Sequence, residues 1–175
     1  LMEVEVEEEC LKILALHQPV AIDLRYIVAA LKINNDLERI ADLSVNIAER
    51  ALGISGEKTG TPPFDFSTMA GKTRAMLRDA LDSLIKMDAE LANQVCDADD
   101  EVDEMNRKMY QTVYSRIREN PDQVEFLIHY LSVSRHLERI ADYATNIAED
   151  VIYMIEGTIV RHHPQSLESA SLAKQ

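Results

Sequence analysis

Carboxylates at helical spacing dominate the chemistry open to this sequence. Glu38 and Asp42 lie four residues apart, as do Glu138 and Asp142, and Asp99 and Asp103. Positions i and i+4 share one face of a helix, so like charges there repel by about 0.2–0.5 kcal/mol unless a cation lies between them. A single such pair is ordinarily a solvated face. Two of these pairs, however, belong to an internal repeat. Residues 37–49 read LERIADLSVNIAE and residues 137–149 read LERIADYATNIAE, ten identities in thirteen at an ungapped offset of 100. Apolar identities follow from packing. A wet surface gives no reason to keep the Glu, Arg, Asp, Asn and final Glu as well.

The third pair sits in DADDEVDE, residues 97–104, six acids in eight. Asp103 lies 18 residues before Pro121 and Glu138 lies 17 after it. At helical rise both are about 26 Å from a turn at that proline. An antiparallel hairpin therefore levels the two pairs, and Asp99, Asp103, Glu138 and Asp142 converge on one patch. Four uncompensated charges are unfavourable, and a multivalent cation relieves them. Oxygen-only ligands select hard ions such as Mg²⁺, Ca²⁺, Mn²⁺ or oxidised iron. The expected cofactor is iron or another hard cation, with Mn, Mg and Zn as alternatives. Glu38 and Asp42 are expected to form an equivalent metal site with acids on the preceding helix. The same count back from Pro19 reaches Leu1, so these acids are expected at the extreme N-terminus or just before it, with Glu3 and Glu7 as substitutes at the right height.

Other chemistries lack their residues. A ferritin-like di-iron site needs Glu-x-x-His motifs, and none occurs. His129 and His136 have Ala29 and Asp36 at the matching positions of the first copy and read as surface or packing residues. No Ser-His-Asp order, Walker A loop or GxSxG elbow is present, so no catalytic residue is assigned.

Long helices must position the acids. Helix-like runs cover about residues 2–17, 20–52, 67–87, 89–119 and 122–156. Pro19 and Pro121 break the chain, Gly53 is expected to stop the second helix, and Ser67 and Asp122 are expected to cap the third and fifth. Thirty-residue helices joined by short turns pack antiparallel. The expected fold is all-α, with two repeated antiparallel three-helix bundles, the first incomplete. Residues 1–52 form the incomplete repeat, 53–66 a Gly/Pro linker, 67–156 the complete repeat and 157–175 a flexible tail.

Composition narrows the partners. Lys+Arg total 18 against Asp+Glu 31, a net charge of −13, which phosphate backbones and anionic membranes repel. Trp is absent and aromatics are 5%, so base stacking is disfavoured. Cys10 and Cys96 form no CxxC pair and fit a reducing, cytoplasmic compartment. No apolar run of about 18 residues could span a membrane. The opening LMEVEVEEE has neither part of a signal peptide and reads as running helix, so a natural N-terminus upstream of Leu1 is expected.

The doubled LERIAD-x-x-x-NIAE, QPVAIDLR at residues 18–25 and VCDADDEVDEM at residues 95–105 resemble the PhoU family. The resemblance runs to about residue 156. It implies two three-helix repeats with acidic metal motifs, and Glu38/Asp42, Asp99/Asp103 and Glu138/Asp142 match three of them. The fourth falls upstream of Leu1. It further implies a cytoplasmic, non-enzymatic adaptor beside a high-affinity phosphate importer. Such an adaptor contacts the importer's ATPase and a sensor histidine kinase and restrains the phosphate-starvation response. A metal-dependent phosphatase with a multinuclear carboxylate site is the alternative, and a ligand-free structural bundle a third reading. The open apolar face of an incomplete bundle leads us to expect a homodimer.

Overall fold

The computed structural model describes residues 2–55, 62 and 64–157. Half of the expected linker and all but the first residue of the expected tail lie outside them. The described residues form five α-helices: α1 (Met2–His17), α2 (Ile22–Ser55), α3 (Phe66–Lys86), α4 (Ala89–Glu119) and α5 (Val124–Glu156). A 3-10 turn over Pro121–Gln123 joins α4 to α5.

Several boundaries differ from expectation for local reasons. Gly53 does not stop α2, which runs on to Ser55. A Cβ at Gly53 would meet the His129 imidazole of α5 at 3.6 Å, so Gly53 lies against a neighbouring helix in a continuing one. Asp65, not Ser67, caps α3: its carboxylate accepts from the Thr68 N–H at 3.1 Å, and from the Thr68 hydroxyl. Asp122 caps nothing. It lies within the 3-10 turn, and Gln123 precedes α5 without a side-chain cap bond. Asp88 caps α4 by accepting from the Leu91 N–H at 3.0 Å.

α5 is the central element and packs against α2, α3 and α4. Its buried residues Leu127, Tyr130, Ser134, Leu137, Ala141, Ala144, Ala148 and Val151 recur at three- and four-residue steps, which gives one continuous apolar stripe. α4 runs antiparallel to it through the short turn. α3 runs parallel to it, because Met69 meets Ser134 and Thr73 meets Leu137. These three helices span the residues expected to form the complete repeat.

α2 crosses α5 antiparallel: Lys32 meets Asp150 at one end and Gly53 meets His129 at the other. Among the described residues α1 packs against α2 alone. One buried cluster nevertheless spans both copies, uniting Ala29, Ile33, Ile40 and Leu43 of α2 with Met69, Met76, Val102, Ile147 and Val151. Each fully buried side chain of this size contributes about 1.5–3 kcal/mol. A second cluster, Met109, Val113, Phe126, Leu127 and Tyr130, closes the α4–α5 turn. There Phe66 stacks on Tyr130 with ring centroids 5.3 Å apart, and this docking carries the start of α3 one residue ahead of Ser67.

The two copies differ in cover. Leu137 is 7% exposed beneath α3, whereas Leu37 at the same repeat position is 38% exposed.

Candidate metal centre

Register comes first. The Ser134 hydroxyl of α5, fully buried, donates to Asn106 Oδ1 of α4 at 2.8 Å. With residue 106 level with 134, the antiparallel count brings Asp103 and Asp99 opposite residues 137–141. One oxygen from each of Asp99, Asp103 and Asp142 then lies within 4.8 Å of the others. Two ligands of one ion held at about 2.0–2.6 Å can be at most about 4–5 Å apart, so this spacing suits a shared cation.

The electrostatics mark the cluster as strained without one. Asp99 is pushed up to about 6, first by burial and then by Asp103 and Asp142, while a hydrogen bond from Thr145 opposes the shift. One Asp99 oxygen is buried with no hydrogen-bond partner. Buried polar atoms are rarely left so, and an ion supplies what this one lacks. Asp142 is raised as well, by desolvation and then by Asp103, with Arg139 opposing. The residues present therefore fit a hard cation.

Glu138 stands beside this trio rather than in it. Burial raises it first, then Asp142 and Asp103, so it belongs to the same field. Its oxygens are not among the three that share the tight cluster.

Glu38 and Asp42 have a different arrangement among the described residues. Arg39 lies between them, with Nε 3.5 Å from Glu38 and Nη1 3.9 Å from Asp42. Asn34 donates to the Glu3 main-chain carbonyl at 2.9 Å, so Glu3 is level with Asn34, about one turn short of Glu38. Glu7 is farther still along α1. Neither is level with the pair, and on this register the positions facing Glu38 fall upstream of Leu1.

His129 packs against Gly53, and His136 is half-buried, so both are packing residues. Cys96 lies near the acids, but burial, then Glu149, Asp97 and Asp99 push it up to about 11, and it remains a thiol at neutral pH. The sequence argument missed Asn106 and Ser134, which set the register. Their signal is a polar residue at a core-facing step of each helix.

Comparison with known proteins bears on the family and the fold. The PhoU domain profile matches residues 1–51 and 66–151. The chain belongs to the PhoU family. It is 39% identical over 168 residues to the phosphate-specific transport system accessory protein PhoU homolog 1 of Thermotoga maritima, covering 95% of this chain and 72% of the relative. A PhoU homolog of Aquifex aeolicus is 40% identical over 162 residues, 93% of this chain and 73% of the relative. The crystal structure of PhoU from Pseudomonas aeruginosa superposes with a TM-score of 0.86 at 35% identity, covering 90% of this chain and 76% of that one. These PhoU relatives are named as accessory proteins, not as enzymes. Among the described residues no helix is long and apolar enough to cross a membrane.

Proposed function

We propose that this chain is a metal-binding regulatory adaptor of a phosphate-specific transport system, acting on the cytoplasmic side as a homodimer. The observation that carries the reading is the trio Asp99, Asp103 and Asp142, which a family of phosphate-transport accessory proteins presents here on two antiparallel helices. The trio binds a hard cation, iron or a similar ion, with Glu138 at its edge. The bound cation links α4 to α5 and stiffens the face offered to partners. Those partners are the importer's ATPase and a sensor histidine kinase, and the outcome is restraint of phosphate-starvation signalling. The acidic surface favours partners with basic docking faces.

Elemental analysis of the purified protein tests the metal half of this reading. At least one iron, manganese, zinc or magnesium per chain is expected, falling below about one tenth in Asp103→Asn/Asp142→Asn. Binding of the metal-loaded chain to the purified importer ATPase, measured by calorimetry, tests the adaptor half. Equal metal content in parent and variant would refute the first half, and no measurable binding to the ATPase the second.

A further inference from the structure

Asp150 is the one charged side chain that is buried among the described residues, 9% exposed. Its carboxylate accepts from Lys32 Nζ at 2.6 Å. Lys32 belongs to α2 in the first copy and Asp150 to α5 in the second, so the pair joins the copies. Asp36, one turn along α2, competes for the same ammonium. Burial disfavours its charge most, the Asp150 carboxylate adds to that, and Lys32 offsets it.

The repeat-equivalent positions toward the opposite end cannot form this pair. The positions 100 residues away are Ser132 for Lys32, His136 for Asp36 and Arg50 for Asp150. There Arg139, Arg50 and Arg135 all act on His136 as like charges. The α2–α5 pair thus carries the Lys32–Asp150 ion pair at one end, beside the buried Ala29 and Ile33, and a cluster of arginines around His136 at the other.

We propose that Lys32 and Asp150 form a latch that docks the α1–α2 hairpin on the α3–α5 bundle, and that releasing it lets α2 lift while the bundle stays folded. The α3–α5 helices pack on one another and share their buried cluster with Ala29, Ile33, Ile40 and Leu43 of α2, whereas among the described residues the hairpin meets them through the α2–α5 pair. Lys32 is half-exposed and Asp150 enclosed, so the pair adds little net stability while intact, but losing Lys32 strands the Asp150 charge. Any ligand or partner that claims Lys32 therefore shifts the docking equilibrium. This inference does not depend on the metal reading.

Amide hydrogen exchange on the full chain tests it. In Lys32→Met, residues 22–36 exchange at least about tenfold faster, while core amides of α3 and α4 keep their rates. In Lys32→Met/Asp150→Leu, most of the α2 protection returns, because no charge is stranded. Asp36→Asn removes the competing carboxylate and slows exchange over residues 22–36 by about twofold. Unchanged exchange in α2 of Lys32→Met, or equal acceleration of every helix, overturns the latch. If Lys32→Met does not fold, Asp36→Asn decides: exchange in α2 that is unchanged or faster overturns the proposal.

Discussion

Ser134 on α5 donates a 2.8 Å hydrogen bond to Asn106 on α4, and this contact fixes the level at which Asp142 faces Asp99 and Asp103. The site thus depends on a buried polar bond about one turn away from it. In the first copy Asn34 donates to the Glu3 carbonyl, which sets the level of α1 against α2.

Ser134→Ala leaves Asn106 Oδ1 without its donor. The expected cost is about 1–2 kcal/mol in urea unfolding. Loss of register also weakens the rise in thermal midpoint that metal produces. A variant with full metal response would show that helix packing sets the register unaided.

The metal-free protein is expected to be less stable at pH 7.5 than at pH 5. Asp99 is raised from 3.8 to about 6, and Glu138 and Asp142 are raised too. A carboxyl raised by folding stabilises the fold while protonated. That contribution is full below the unfolded value near 4 and is lost as pH rises through about 6. After discounting for partial exposure, Asp99 accounts for about 1 kcal/mol. Asp99→Asn should flatten the thermal midpoint between pH 5 and 7.5, and a midpoint that rises with pH in the metal-free parent would contradict the assignment.

Two glycines give opposite outcomes on replacement by alanine. Gly157 ends α5 at φ +76°, and a Cβ there would collide with Arg25 Nη1, whose guanidinium lies 6.0 Å from the Tyr153 ring centroid. Gly157→Ala should cost about 1 kcal/mol or more. Gly71 lies within α3, and a Cβ there meets nothing within 4 Å. Gly71→Ala should stabilise by about 0.5–1 kcal/mol, read from urea midpoints.

The repeat supplies an internal control on packing. Leu137→Ala, beneath α3, should cost about 2–4 kcal/mol. Leu37→Ala, at the same repeat position but 38% exposed, should cost less than about 1 kcal/mol. Equal losses would mean that Leu37 is covered in solution.

Much of the fold was legible because its signals are local or repeated. Pro19 and Pro121 break helices wherever they stand, and the offset of 100 marks equivalent helices. The level of Asp103 with Glu138 followed from counting residues, since helical rise is constant. What failed depended on contacts distant in sequence. Gly53 reads as a stop until His129 lies against it, and Asp65 outcompetes Ser67 because Phe66 docks on Tyr130. Glu3 and Glu7 match Glu38 and Asp42 in spacing, but the Asn34–Glu3 contact puts Glu3 about one turn short of them. The Lys32–Asp150 pair spans 118 residues, and no local pattern announced it.

The most direct test is the thermal midpoint of metal-stripped protein with and without added Mn²⁺ or ferric ion, in parent and Asp103→Asn/Asp142→Asn. Binding to the folded state alone raises the midpoint by mass action, by an amount equivalent to about 2.7 kcal/mol at a hundredfold excess over Kd. The account predicts a clear rise for the parent and none for the variant, whose metal-free form should be at least as stable as the parent at neutral pH. An equal rise in both would contradict it, and the three carboxylates would be a solvated face.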